Sequence, residues 1–243
     1  MESLIILAHQ DDEMFALSQI EYIGVTTAIY LTDGVRSSAN YNSSVREIES
    51  VQAWQIINKG ATVINFGIYN DVSDGLLFKK FDRTHFNKLS LILKDIKFNQ
   101  IITTAPESGH QDHDIAFAVS FMLAKKFNVP LCIFPTYSAR KPGSRLFYVA
   151  DYKFLDRLNL NFIILPRNLK KLLLLLKLFQ NYRSQLGTWI GLGPGLIIKY
   201  LRPQRLYLAP TNLSNASPKL YENRNRANSV EVDAAIKQIL AYI

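Results

Sequence analysis

Between residues 4 and 134 the chain alternates short apolar runs with segments of helical period, and few architectures accept that alternation. Leu4-Ile5-Ile6-Leu7 reads as a strand and Asp11 to Tyr22 as a helix. Val25 to Leu31 is the next strand, closed by Thr32-Asp33-Gly34. Ser43 to Asn58 then carries Val45, Ile48, Val51, Trp54 and Ile57 at helical spacing, with Gly60 as its stop. Thr62 to Phe66, Gln100 to Thr104 and Leu131 to Phe134 read as further strands, and His85 to Phe98 and Asp112 to Phe127 as helices. The pattern predicts an α/β fold, a Rossmann-like, mostly parallel sheet covered by helices on both faces. In such sheets functional residues gather just beyond the carboxyl ends of the strands. That rule singles out His9, Asp33 and the segment around His110.

After residue 140 the pattern loosens. Leu146 to Val149, Leu160 to Leu165 and Leu206 to Leu208 read as strands, Asn168 to Gln185 as a helix, and Val230 to Ile243 as a short amphipathic helix. With no repeat and no low-complexity linker, residues 1–243 are expected to form a single domain. Its catalytic α/β core would span 1–140 and a smaller basic lobe 141–243. The formal net charge of +8 divides along that line. Residues 1–140 hold 12 Lys+Arg against 15 Asp+Glu, whereas residues 141–205 hold 12 against 2. Acid-rich chemistry is therefore sought in the first region and anion attraction in the second. Arg140, Lys141 and Arg145, with Arg202 and Arg205, form basic loops suited to holding phosphate. No nucleic-acid module accompanies them, and an acid-rich half argues against a duplex-binding surface.

The longest uncharged stretch, Ser184 to Ile198, contains four glycines and a proline and falls short of the ~20 apolar residues of a membrane span. The N-terminus has no basic n-region. The single cysteine, Cys132, sits in an apolar strand and permits no disulfide within the chain. These features agree with a cytoplasmic protein. The segment Asn168 to Phe179, with five consecutive leucines between lysines, is either a buried helix or one resting on anionic lipid at the inner face of a membrane. Oligomeric state is left open.

Three of the four histidines fall in two short acidic clusters, His9-Gln10-Asp11-Asp12-Glu13 and His110-Gln111-Asp112-His113, each just past a strand. His9 and Asp12 can converge on one metal ion, and an imidazole from the second cluster completes a two-His, one-carboxylate set. With an open position for water, that set fits catalytic zinc; iron(II) takes similar ligands. Of the adjacent carboxylates, one then serves as ligand and the other as general base. The bland alternative is that Asp-Asp-Glu simply favours a helix N-terminus. His85, with no acidic companion, reads as an ordinary surface histidine.

These two elements resemble those of the LmbE-like (PIG-L) family of zinc-dependent de-N-acetylases, which act on N-acetylglucosamine-type conjugates. The family carries His-Pro-Asp-Asp-Glu after its first strand and His-x-Asp-His after a later one. Weaker echoes are Arg46-x-x-Glu49, Asp74-Gly75 and Tyr182-Arg183-Ser184-Gln185. The resemblance implies His9, Asp12 and His113 as metal ligands and Asp11 as the base for the attacking water. It implies His110 as oxyanion donor or acid for the leaving amine, with Asp112 orienting His110 and raising its pKa. Arg46 would contact substrate, and Asp33, Asp74 and Tyr182 would belong to the binding site. A turn or helix-cap role is the alternative for Asp33. Gln10 replaces the family's proline, which predicts a change in turn rigidity without loss of activity. The implied substrate is a small N-acetyl amino-sugar conjugate, anionic given the basic lobe and nucleotide- or lipid-linked, used in cell-surface glycan or related biosynthesis. A non-sugar deacylase is one rival; the other is a catalytically silent, metal-stabilised module that binds anionic membrane or glycan.

Overall fold

Ser3–Leu7 forms the central strand β1 and is buried along its whole length, as an apolar run covered on both faces must be. It pairs in parallel with β2 (Val25–Tyr30) on one side and β4 (Ile101–Thr104) on the other. Outside these lie β3 (Thr62–Ile64) and β5 (Leu131–Phe134), also parallel. The separate hairpin β6 (Tyr137–Ala139) and β7 (Phe147–Val149) follows β5. Two later strands, β8 (Phe162–Leu165) and β9 (Gln204–Leu208), return antiparallel and extend the main sheet, giving the order β3-β2-β1-β4-β5-β9-β8. The computed structural model describes residues 2–36, 40–139, 147–149, 152–209, 219–224 and 226–242.

The chain leaves β1 towards β2 and later re-enters the sheet at β4, on the opposite side of β1. The carboxyl ends of β1 and β4 therefore diverge into a crevice, the place where open parallel sheets hold ligands.

Side-chain alternation along the strands builds two cores. Leu4 and Ile6 of β1 face one layer, in which Phe86 and Leu89 come from helix α4 (Arg83–Lys94), Ile115 and Val119 from α5 (Gln111–Phe127), and Ile236 from α10 (Ser229–Leu240). Ile5 and Leu7 face the other. There Ile20 of α1 (Leu17–Ile23), Trp54 of α2 (Ser43–Ile57), Leu175 of α7 (Leu169–Asn181) and Leu196 of α8 (Leu186–Tyr200) pack together. Three short helices, α3 (Leu77–Lys80), α6 (Lys153–Arg157) and α9 (Leu220–Asn223), complete the chain.

The helix expected from Asp11 onward is split. Asp12–Phe15 is a 3-10 turn and α1 starts only at Leu17, because Asp11 (φ 146°) and Ala16 (φ −127°) leave helical geometry. The helix expected over Asn168 to Gln185 stops at Asn181, with a 3-10 turn at Arg183–Gln185. Its leucines divide. Leu175 and Leu178 are buried, while Leu169, Leu173 and Leu176 stand exposed beside Lys170 and Lys177. The glycine-rich stretch that no periodicity marked is helix α8. Among the described residues no helix is long and apolar enough to cross a membrane.

Candidate active site

Both histidine clusters arrive at the crevice between β1 and β4. His9 follows β1 by two residues, and its backbone N–H donates to Asp12 Oδ2 at 2.8 Å, so the turn folds the Asp12 carboxylate back against the strand end. The second cluster opens α5, whose N-cap is His110 and whose first ten residues are all buried. Just before it, a Cβ on Gly109 would meet the Tyr137 carbonyl oxygen at 1.8 Å. Only glycine lets the loop carrying His110 lie this close to β6.

Asp12 bridges two imidazoles, with Oδ1 at 3.0 Å from His113 Nε2 and Oδ2 at 3.5 Å from His9 Nδ1. The ligand atoms of His9, Asp12 and His113 lie within 4.8 Å of one another, and all three residues are buried. Two nitrogens and a carboxylate oxygen converging in a buried site are the donor set of a divalent transition metal, so the residues fit the ion that the sequence implied. Thr136 Oγ1 holds the other nitrogen of His113 at 3.2 Å, the outer contact that orients a ligating ring.

A second group shares His9. His9 Nε2 lies 3.2 Å from Asp74 Oδ1 and 3.2 Å from Asp112 Oδ2, and Asp74 Oδ1 lies 3.7 Å from His110 Nε2. Asp74, expected in the binding site, is thus part of the inner cluster. Asp112 corrects the sequence reading. Its carboxylate faces His9 and accepts from Gly75 N at 2.6 Å and Leu77 N at 3.2 Å, instead of orienting the His110 ring. Only its backbone N–H reaches His110, donating to Nδ1 at 3.2 Å. Burial and then the charge of His9 push the His110 pKa well below the ordinary value.

Asp11 sits beside the cluster on a strained backbone. A φ of 146° is rare for any residue with a side chain and costs ~1–3 kcal/mol. Arg46 holds it there. The guanidinium donates to the Gln10 carbonyl, lies 3.2 Å from Asp11 Oδ2 and 2.9 Å from Glu49 Oε2, and bonds Ser184 Oγ at 3.1 Å. At 1% exposure Arg46 shapes the Asp11 turn, and it also lines the small cavity that holds Asp11 and His110. Burial lifts the Asp11 carboxyl to about 6 against the pull of Arg46. Burial also opposes ionisation of Asp12, yet His113 and His9 hold it well below the carboxylate range. Gln10 does with hydrogen bonds what a proline does with its ring: its amide donates to Thr32 O at 2.9 Å and to Asn65 Oδ1 at 3.1 Å.

Tyr182 is a second correction. It is fully buried, donates to Glu13 Oε1, and carries Arg46 over its ring at 5.3 Å, so it supports the site from behind. Glu13, for which no role was expected, also accepts from Tyr30 at 2.8 Å, and burial raises its carboxyl to about 7. Asp33 takes the turn role weighed for it and also faces a cavity. Its Oδ1 ties the turn, accepting from Val35 N and Asp74 N, and it lines a cavity of about 680 Å³ with Asp74 and His110. His85 caps α4 through Asp82, with Nδ1 2.6 Å from Oδ1. Arg202 and Arg205 line a different cavity, beside Tyr148 and Lys153. Arg140, Lys141 and Arg145 lie outside the described residues. Arg36, Arg224 and Arg226, which the sequence reading passed over, line the recess beside His110 and Tyr137.

A mostly parallel sheet with a carboxylate–histidine cluster at its switch point defines an α/β fold with a candidate metal site. Residues 4–123 match the family model PIG-L, GlcNAc-PI de-N-acetylase. The matched residues carry both histidine clusters, so the likeness to that family lies in the region that builds the site. Comparison with curated protein sequences gives no match. Among solved structures, the zinc-inhibited form of teicoplanin deacetylase Orf2 aligns with a TM-score of 0.59 at 10% identity, covering 87% of this chain and 100% of that one. The A40926 pseudoaglycone deacetylase Dbv21 aligns at 0.57 with 13% identity, covering 87% and 98%. The conserved protein TT1542 of Thermus thermophilus aligns at 0.58 with 15% identity, covering 87% and 96%. At such identities the likeness is one of fold.

Proposed function

We propose that this protein is a metal-dependent N-deacetylase of an amino-sugar conjugate. The observation that carries the reading is the convergence of His9, Asp12 and His113 on one point, with His9 and Asp12 lining one small cavity together with Asp11 and His110. His9, Asp12 and His113 would hold the ion, and zinc suits their donor set. A divalent ion there supplies Lewis acidity to the amide carbonyl and acidity to the attacking water. Asp11, fixed by Arg46, takes the proton from that water and returns it to the departing amine. His110 accepts at Nδ1, so its neutral ring carries the proton on Nε2 and donates it towards the developing oxyanion. Asp112 and Thr136 fix the rings of His9 and His113.

The likeness to that family and the glycopeptide deacetylases among the structural neighbours support an acylated amino sugar over a non-sugar amide. For peripheral membrane contact the support is the outer face of α7, where exposed leucines alternate with Lys170 and Lys177. Salt-sensitive co-sedimentation with anionic vesicles tests that part. The central test is acetate and free-amine release from N-acetylglucosamine conjugates. Activity should vanish with chelator and return with zinc or iron(II), whichever is native. Turnover that survives complete metal removal would overturn the mechanism.

A further inference from the structure

Beside the catalytic cluster the crevice widens into a recess of about 430 Å³ with aromatic walls from Tyr41, Tyr137 and Phe147. Three arginines line it, Arg36, Arg224 and Arg226, and among the described residues no acidic side chain does. They come from segments far apart in the chain, the loop after β2 and the segment that ends α9. Arg36 and Arg226 also line the adjoining 680 Å³ cavity that contains His110, so the cationic surface runs from the reacting centre outwards. The acids of that second cavity are already engaged. Asp33 Oδ1 accepts from Val35 N and Asp74 N, and Asp74 faces His9 while its Oδ2 binds Arg36 at 3.1 Å. Arg224 stacks over the Phe147 ring at 4.7 Å, which fixes the plane of its fork. Burial, then the charge of Arg226, lowers its pKa, as expected where cations crowd together. Guanidinium forks match phosphate oxygens in pairs, so a recess with three of them on its walls is shaped for a phosphate ester.

Resting on the deacetylase reading, we infer that Arg36, Arg224 and Arg226 form a clamp for a phosphate ester carried by the amino-sugar substrate, and that this clamp sets specificity. The phosphate could belong to a sugar 1-phosphate, a nucleotide diphosphate sugar or a glycophospholipid, and the experiment separates these sources. Amine release is measured on N-acetylglucosamine 1-phosphate, on a uridine diphosphate conjugate, on a phosphatidyl conjugate in vesicles, and on neutral methyl N-acetylglucosaminide. The zinc-loaded protein should prefer at least one phosphorylated substrate over the neutral one, and the preferred one names the source. Arg226 is exposed, so Arg226→Ala should fold. It should lower the phosphorylated-to-neutral ratio of kcat/KM by about tenfold or more, the size of one lost charge-assisted hydrogen bond, chiefly through KM. Arg226→Lys should retain part of that ratio. No preference in the parent protein, or a ratio unchanged by Arg226→Ala, would overturn the clamp. If no N-acetyl substrate is hydrolysed, the deacetylase reading fails and the clamp is judged by calorimetric titration with inorganic diphosphate. About tenfold weaker binding to Arg226→Ala supports it and equal affinity refutes it.

Discussion

Two regions of this molecule bury charge under opposite terms. At the ends of β1 and β4, His9, Asp11, Asp12, Asp112 and His113 are all buried, and each faces a partner of opposite sign or a backbone donor. Further along the chain, Lys199 is as deeply buried on α8, but its amine meets a carbonyl, that of Phe15, between the rings of Phe15 and Tyr200. An isolated buried charge shifts its pKa and neutralises, whereas a compensated cluster can remain ionised. In the proposed function the first region is thereby a reagent for moving protons. The second is a site where the fold tolerates a cost.

The sharpest way to break the comparison is to remove the reagent without removing its support. Asp11→Asn should lower kcat by ~10²–10⁴, the usual contribution of a general base, while bound metal and the circular dichroism spectrum stay as in the parent. His113→Ala should instead lose the metal, read by elemental analysis of the purified protein. If the two variants behave alike in metal content, ligand and base have been assigned to the wrong residues.

The Lys199 half of the comparison is tested by pH. Burial pushes its amine down from an ordinary 10.5 to about 7, with Glu107 opposing only in part. The unfolded chain therefore binds the proton more tightly, and folding carries a penalty that is full below about pH 7 and fades as pH rises towards 10.5. The shift corresponds to ~4–5 kcal/mol, and losing the bond to Phe15 O returns ~1–2 of that. Lys199→Met should accordingly stabilise the protein by a few kcal/mol at about pH 6 and much less near pH 10, measured by urea unfolding at both. A gain independent of pH would show that the amine is not the source of the cost.

The parallel core and both histidine clusters were legible because their signals are local: period, apolar runs, and residue type at a strand end. The contacts of Arg46, Tyr182 and Asp112 were not. Each is decided by which way a buried side chain turns, and that depends on elements more than 30 positions away, such as Ser184 for Arg46 and Gly75 for Asp112. Helix α8 was hidden for a different reason. Gly187, Gly191, Gly193, Pro194 and Gly195 contradict helix propensity, so tertiary contact must supply what the local sequence withholds.

The glycines of α8 should then differ from one another. A Cβ on Gly195 would lie 2.6 Å from Val149 Cβ and Cγ2, so Gly195 permits the helix to press on β7. Gly195→Ala should destabilise by ~1–3 kcal/mol through overpacking. A Cβ on Gly191 meets nothing within 4 Å. There the only change is backbone freedom in the unfolded chain, and Gly191→Ala should stabilise by up to ~1 kcal/mol, a rise of ~2–4 °C in Tm. Thermal melts of the two variants without substrate decide the matter. Opposite signs mean that contact with β7 holds α8 in place despite its composition. Two destabilising results would mean that glycine is required along the whole helix and that contact with Val149 is not what sets Gly195 apart.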